Sequence, residues 1–167
     1  MLVSSSGLVT ITGGKWTTYR SMGEDAVDRA AHAGGLEPRP SRTRTLPLHG
    51  HGPAVRRPEP WDVYGTDASA LRRLAREEPA LGEPLHPRLP YLAVQVAWAA
   101  RREMARTVED VLARRTRALL LDARASLEAA PGVADIMARE LGRDATWRDR
   151  QVAAYATLVE GYLPPFR

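Results

Sequence analysis

The stretch Gly13-Gly14-Lys15-Trp16-Thr17-Thr18-Tyr19-Arg20 has the residue types of an anion-binding turn. The preceding residues, Leu8-Val9-Thr10-Ile11-Thr12, are enriched in β-branched side chains and predict a strand, and a helical spacing begins at Trp16. Glycines after a strand let the backbone approach a ligand closely, and the start of a helix presents unpaired N–H groups and its positive dipole end. With Thr17 or Thr18 as a cap, this arrangement suits an anionic group.

Lys15 adds a full positive charge to the same turn. It is the single lysine among 24 basic residues, the others being arginines, and lysine supplies a compact charge that arginine does not. A phosphate or the N1–O2 region of a flavin would suit this turn. A nucleotide phosphate loop is excluded, because Val9 and Trp16 occupy the required glycine and Ser/Thr positions, and the chain has no G-x-G-x-x-G fingerprint. A simple strand-to-helix turn remains the alternative.

Composition indicates a globular chain. With 167 residues, 44% hydrophobic and 26% charged, we expect one domain, or one domain with a piece of another. The absence of cysteine excludes disulfides, thiolate metal sites and cysteine nucleophiles. The N-terminus lacks a signal-peptide pattern, and the most apolar stretch, residues 89–100, is too short to span a bilayer. These features predict a cytoplasmic protein.

The helical periodicity divides the chain into three parts. The first helix is expected to end at Gly34-Gly35, and residues 36–60 carry six prolines with little periodicity, which is typical of a linker. Residues 61–167 predict an irregular helical bundle. Its expected helices are Asp67–Glu78, Tyr91–Met104, Thr107–Arg115, Leu119–Ala129, Val133–Leu141 and Thr146–Leu163. Thr107 to Asp110 resembles a capping box, and Pro131-Gly132 and Gly142 are expected to break helices. The predicted fold class is therefore mainly α.

Two separated stretches resemble one family. Gly7 to Arg20 is similar to the segment that closes the flavin domain of FAD-dependent glycerol-3-phosphate dehydrogenases, in the class typified by D-amino acid oxidase. Downstream, Glu103-Met104-Ala105-Arg106-Thr107, Asp110-Val111-Leu112 and Arg114-Arg115-Thr116-Arg117 resemble the C-terminal helical domain of the same enzymes, in the same order. The resemblance implies that residues 1–35 are the last strand, turn and helix of the FAD and substrate domain.

The resemblance also implies the roles of the turn residues. Gly13, Gly14, Lys15, Trp16 and Thr17 would contact FAD, and Lys15 would bind glycerol 3-phosphate or stabilise charge near the reacting carbon. The parent enzyme would oxidise glycerol 3-phosphate to dihydroxyacetone phosphate and pass electrons to a quinone or to oxygen. It would lie at the inner face of the cell membrane, and homo-oligomers are possible.

The resemblance is incomplete in one respect. The fingerprint that holds the adenine dinucleotide and the upstream arginine that pairs with the substrate phosphate are not in this chain. We therefore expect the isolated chain to be inactive and to retain no flavin. The helical domain of residues 61–167 is expected to be structural.

Two other functional classes stay open from the residues alone. The first is a stand-alone regulatory module that docks on an intact flavoenzyme subunit. The second is a basic helical nucleic-acid binder. Asp110 and Arg114 are spaced as an i,i+4 ion pair, and no aromatic platform accompanies residues 114–117, so we expect a solvated or interdomain face there and no nucleic-acid partner. The four histidines have no recognised metal spacing, and Trp61, Trp98 and Trp147 are expected to be packing residues.

Overall fold

A computed structural model describes residues 1–52 and 61–163 of the chain. The chain divides into two compact units, Met1–His51 and Gly52–Arg167. Within the described residues, the regular structure is helical apart from one two-stranded sheet, which confirms the predicted mainly α class. Among these residues, no helix combines the length and apolar character that a bilayer crossing requires.

The first unit begins with a short hairpin. Strand β1 (Leu2–Val3) pairs antiparallel with β2 (Val9–Thr10), with Val3 opposite Val9. A turn joins the two strands, in which the Gly7 N–H donates to the Ser4 carbonyl oxygen at 3.0 Å. The predicted strand over residues 8–12 is shorter than expected, since only two residues on each side have a partner.

The helix of the first unit lies where its periodicity predicts. A 3-10 turn over Trp16–Thr18 leads into helix α1 (Tyr19–Ala33), which ends at Gly34. Gly35 adopts a left-handed φ of +65°, as expected for a glycine that stops a helix. Met22 and Ala26 on one face are only half-buried, and no described side chain of residues 1–52 is buried. The unit therefore has no hydrophobic core of its own.

The second unit is a bundle of helices around a continuous core. The helices are α2 (Ala68–Glu77), α3 (Ala93–Arg102), a π-helical turn (Asp110–Arg115), α4 (Ala118–Leu121), α5 (Ala123–Leu141) and α6 (Ala145–Glu160). Short 3-10 helices, Asp62–Asp67 and Pro79–Gly82, flank α2. Helix α5 lies at the centre and packs against α3, α4 and α6. The fully buried side chains of this core include Val96, Val108, Val111, Leu112, Val133 and Met137.

Two helix boundaries predicted from the sequence were wrong. The expected break at Pro131-Gly132 does not occur, and α5 continues through both residues. An interior proline costs roughly 3 kcal/mol, but the neighbouring Ala130, Val133 and Ala134 are fully buried, so packing of the continuous helix outweighs this cost. The break lies instead at Asp122, whose side chain accepts the Ala125 N–H at 2.9 Å and caps α5. Leu119 therefore belongs to the separate helix α4.

A second, smaller core cluster holds α2 and α3 together. Its buried members are Leu71, Leu81, Ala93, Val94 and Ala97. Trp61 and Trp98 pack against this cluster and Trp147 packs against the main core, which confirms their predicted packing role. Buried Gln95 accepts the Leu92 N–H at 2.9 Å and donates to the Tyr64 hydroxyl at 3.2 Å. These bonds satisfy a polar side chain inside the bundle.

Candidate functional site

The turn between β2 and the 3-10 helix depends on two glycines. Gly13 has a φ of +75° and Gly14 a φ of +118°, both in the region that favours glycine. A Cβ built on Gly14 would overlap the Sδ and Cε atoms of Met22, whereas a Cβ on Gly13 would meet no atom within 4 Å. Gly14 therefore closes the turn against its own helix, and Gly13 presents open backbone that a ligand can approach.

Lys15 follows in an extended conformation, with φ −119° and ψ 150°. Its N–H donates to the Thr18 Oγ1 atom at 3.4 Å. Its carbonyl oxygen accepts both the Thr18 N–H, at 3.0 Å, and the Thr18 hydroxyl, at 3.0 Å. Of the two threonines that were candidates for the cap, Thr18 is thus the one that bonds the turn. The N–H groups of Trp16 and Thr17 precede the first hydrogen bond of the helix and point to no partner within it.

Four of the five predicted site residues line one shallow depression of about 430 Å³, namely Gly13, Gly14, Lys15 and Trp16. Thr17 is outside this lining. The Trp16 ring is 86% exposed and stacks on Tyr19, with 5.6 Å between ring centroids. Lys15 is exposed as well. The turn thus presents open glycine backbone, an aromatic face and a cation on one surface.

The second conspicuous stretch, residues 103–117, lies in the bundle and centres on Asp110. The Asp110 Oδ2 atom accepts the N–H groups of Arg106, at 2.9 Å, and Thr107, at 3.0 Å. In return, the Asp110 N–H donates to the Thr107 hydroxyl at 3.1 Å. The predicted capping box is confirmed. Burial acts to raise the pKa of Asp110, but the hydrogen bonds from Arg106 and Thr107 outweigh it and hold that pKa below its usual range.

The arginines of the same stretch contact the bundle itself. Arg114 pairs with Asp110 at 2.7 Å and with Glu109 at 2.5 Å, which confirms the predicted i,i+4 ion pair. Arg115 donates to the Glu103 carbonyl oxygen at 2.5 Å and to the Asp110 carbonyl oxygen at 3.2 Å. Arg115 therefore ties the end of α3 to the π-helical turn, whereas Arg114 pairs only with carboxylates of its own segment.

Sequence reasoning missed three contacts that shape these regions. Met22 lies behind Gly14, the Gln151 Oε1 atom accepts the Val108 N–H at 3.1 Å, and the buried hydroxyls of Ser126 and Tyr155 share a hydrogen bond. The spacing of Met22 four residues after Thr18 was the only local signal. The other two join distant parts of the chain. In the described part of the chain, no three His, Cys, Asp or Glu side chains are grouped closely enough to hold a metal ion.

Comparison with known proteins points to one family. A family model described as the C-terminal domain of alpha-glycerophosphate oxidase matches residues 59–148. Mitochondrial glycerol-3-phosphate dehydrogenase of Bos taurus is 34% identical to this chain over an alignment 170 residues long. The alignment covers 90% of this chain and 23% of the relative. The Homo sapiens protein of that name is 35% identical over 85% of this chain and 22% of its own length.

A bacterial relative extends the comparison. Glycerol-3-phosphate dehydrogenase 2 of Mycobacterium bovis is 35% identical over 95% of this chain and 30% of its own length. The chain thus spans less than a third of the length of these relatives. No solved structure matches.

Proposed function

This chain belongs to the family of the C-terminal domain of alpha-glycerophosphate oxidase, and we propose that it forms the C-terminal part of a flavoenzyme that oxidises sn-glycerol 3-phosphate to dihydroxyacetone phosphate. One observation supports this most strongly. A match at 35% identity over 95% of the chain extends well beyond residues 59–148, which the family model covers, so the similarity to a glycerol-3-phosphate dehydrogenase is not limited to the bundle.

The turn fits a flavin in two respects. The open backbone at Gly13 allows a planar ring to approach closely, and the free N–H groups of Trp16 and Thr17 suit a ring edge that carries negative charge. When bound, FAD supplies the two-electron acceptor of the reaction. Gly13, Gly14, Lys15, Trp16 and Thr17 are the residues of this chain that would hold it. The adenine dinucleotide would need residues outside this chain, which has no G-x-G-x-x-G fingerprint.

Lys15 would hold the substrate in front of this turn. Its exposed ammonium group is the one full positive charge among the predicted site residues. A point charge with three rotatable donors can bind a phosphate or hydroxyl oxygen and stabilise negative charge that develops on the substrate oxygen. Because the backbone of Lys15 is already bonded by Thr18, its side chain is the part left for the substrate.

The isolated chain is expected to retain no flavin, because the first unit has no buried side chain and the dinucleotide fingerprint is missing. The test compares the 167-residue chain with the complete natural polypeptide that carries it. The complete polypeptide should purify with flavin absorbance near one per molecule and oxidise glycerol 3-phosphate, and the 167-residue chain should do neither. Stoichiometric flavin on the short chain would contradict the proposal.

Lys15→Ala in the complete polypeptide separates this function from the two other classes. The loss of a positioned charge should lower kcat/KM for glycerol 3-phosphate by roughly a hundredfold or more, with flavin retained. Lys15→Arg keeps the charge but not its geometry, and should recover only part of the rate. Unchanged kinetics in Lys15→Ala would remove Lys15 from the substrate site.

The helical bundle would be structural, and its contacts with the flavin domain or with a second copy are part of the proposal. Its own core supports this role, since the helices of the bundle pack two clusters of apolar side chains against one another. Deleting residues 61–167 from the complete polypeptide should abolish soluble, assembled enzyme. Normal folding and assembly of the deletion variant, measured by size-exclusion chromatography, would count against this role.

The acceptor and location follow from the same proposal. Electrons would pass to a quinone or to oxygen, and the enzyme would be cytoplasmic or peripheral to the inner face of the cell membrane. Reduction of a quinone analogue and formation of hydrogen peroxide, measured in parallel on washed membranes and on the soluble fraction, distinguish these cases. A native product of 18.4 kDa would favour a regulatory module that docks on an intact flavoenzyme subunit.

A further inference from the structure

The backbone of the glycine turn is bonded on both sides of Lys15 by one side chain, Thr18. The Thr18 Oγ1 atom accepts the Lys15 N–H at 3.4 Å and donates to the Lys15 carbonyl oxygen at 3.0 Å. Its single proton has a second potential acceptor in Met22 Sδ, at 3.5 Å. The carbonyl is nearer and is the stronger acceptor, so the hydroxyl bonds Lys15 in both directions and rests against the sulfur.

Met22 supports the same turn from behind. Its Sδ and Cε atoms fill the space where a Cβ of Gly14 would stand. Thioether sulfur is polarizable and fits irregular gaps. Met22 therefore packs directly against the Gly14 backbone, at a φ of +118° that other residues rarely adopt. Thr18 and Met22 lie one helical turn apart on α1 and the 3-10 turn before it, so one helix face holds both Gly14 and Lys15.

We propose that Thr18 and Met22 are positioning residues that hold the Gly13 to Thr17 turn in its ligand-binding shape. Thr18 does not line the depression formed by Gly13 to Trp16, and Met22 lines its wall behind Gly14. By holding Gly14 and the Lys15 backbone, they set the direction of the Lys15 side chain and of the free Trp16 and Thr17 N–H groups. This inference rests on the proposed flavin and substrate site and adds two residues to it.

The test uses the complete natural polypeptide with its bound flavin. Thr18→Val keeps the shape of the side chain but removes both bonds to Lys15, and it should lower kcat for glycerol 3-phosphate roughly tenfold to a hundredfold and shift the visible flavin spectrum. Thr18→Ser keeps the hydroxyl and should recover most of the rate. Thr45→Val is the matched control, because Thr45 is exposed in the segment after α1 and does not line the depression at the turn.

The role of Met22 is tested with substitutions that differ in side-chain volume. Met22→Leu keeps the volume behind Gly14 and should stay within a few-fold of the unaltered enzyme, whereas Met22→Ala opens that space and should reduce kcat and shift the flavin spectrum in the same direction as Thr18→Val. If Thr18→Val does not fold, Met22→Ala carries the test, since it leaves the hydroxyl in place.

The possible outcomes distinguish a failure of the positioning roles from a failure of the proposed function. Unaltered rate and spectrum in Thr18→Val and Met22→Ala, with an active parent enzyme, overturn the positioning roles alone. A parent polypeptide that binds no flavin and oxidises no glycerol 3-phosphate overturns the proposed function and these roles with it. A loss of rate in Thr18→Val that Thr18→Ser does not restore also contradicts the role of the hydroxyl.

Discussion

In the helical bundle, side chains such as Leu71, Leu112 and Val133 have no solvent exposure, whereas no described side chain of residues 1–52 is buried. The first unit even leaves Leu8 and Val27 about two-thirds exposed, at 65% and 67%. The bundle can thus gain stability from its own hydrophobic burial, which is the main favourable term in folding. The first unit has hydrogen bonds, including one between Arg20 and Thr43, but no buried apolar side chain. We therefore expect its turn to depend on contacts with further polypeptide for its stability.

Separating the two units gives the largest expected effect. Expressed alone, Gly52–Arg167 should be helical and unfold in one cooperative transition, because it contains both core clusters. Met1–His51 alone should show no cooperative transition, since about 50 residues without a core cannot offset the entropy of folding. Circular dichroism during heating measures both. A sigmoidal thermal unfolding curve for Met1–His51 would contradict the expected difference in cooperativity between the two units.

Truncating one leucine in each unit sharpens the comparison. Leu112→Ala removes a fully buried side chain and should lower the free energy of unfolding by about 2–5 kcal/mol. Leu8→Ala alters a side chain that is 65% exposed and should change it by less than about 0.5 kcal/mol in this chain. Urea denaturation measures each. Equal losses would show that the first unit has a core after all.

Removing the Asp110 carboxyl tests the capping box inside the bundle. Asp110→Ala leaves the Arg106 and Thr107 N–H groups without their acceptor and should cost about 1–2 kcal/mol at neutral pH. Glu109→Ala is the control, because Glu109 contributes an exposed ion pair with Arg114.

The same variant predicts a pH dependence. The pKa of Asp110 is lowered in the folded state, so its stabilisation is present above the pKa of the unfolded chain and is lost as pH falls through the folded value. The difference in the free energy of unfolding between the unaltered chain and Asp110→Ala should therefore become smaller as the pH is lowered. A difference in the free energy of unfolding that stays constant down to low pH would contradict this prediction.

Tyr64 gives the smallest expected effect. Burial raises its pKa to about 12, with the hydrogen bond from Gln95 acting in the opposite direction. Because the folded pKa is above the unfolded value of 10.0, this stabilisation is complete below pH 10.0 and is lost as pH rises towards 12. Tyr64→Phe should cost about 1 kcal/mol at neutral pH and remove one tyrosine from the late part of an ultraviolet titration of the folded chain. Tyr91 and Tyr155 remain in that part, because burial raises the pKa of each of them as well. A titration with no late step would exclude the raised pKa.

Features that depend on local spacing were predictable from the sequence. The period after Trp16 placed α1, the Thr107 to Asp110 spacing predicted the capping box, and Gly142 ends α5 in the left-handed conformation expected of a stop. Each is determined by residues within one or two turns of one another. The glycine turn belongs to the same group, since a turn was predicted at Gly13-Gly14 and both glycines adopt a positive φ there.

Features that depend on packing were not predictable. Pro131 stays inside α5 because neighbouring residues are buried against other helices. The π-helical turn over Asp110–Arg115 is bonded through Arg115 to Glu103 at the end of α3. Just before this turn, the Val108 N–H donates to Gln151 of α6, which is far away in sequence. In the candidate site, the contact of Met22 with Gly14 requires the three-dimensional path of the turn.

Lys15 has a further consequence for handling this chain in the laboratory. Apart from the N-terminus, its ammonium is the chain's only primary amine, and it is exposed at the rim of the depression. An amine-specific reagent can therefore attach a single probe beside Trp16, and a lysine-specific protease can cut the chain only once. Lys15, the proposed substrate-binding residue, is thus also a site at which one spectroscopic label can be attached.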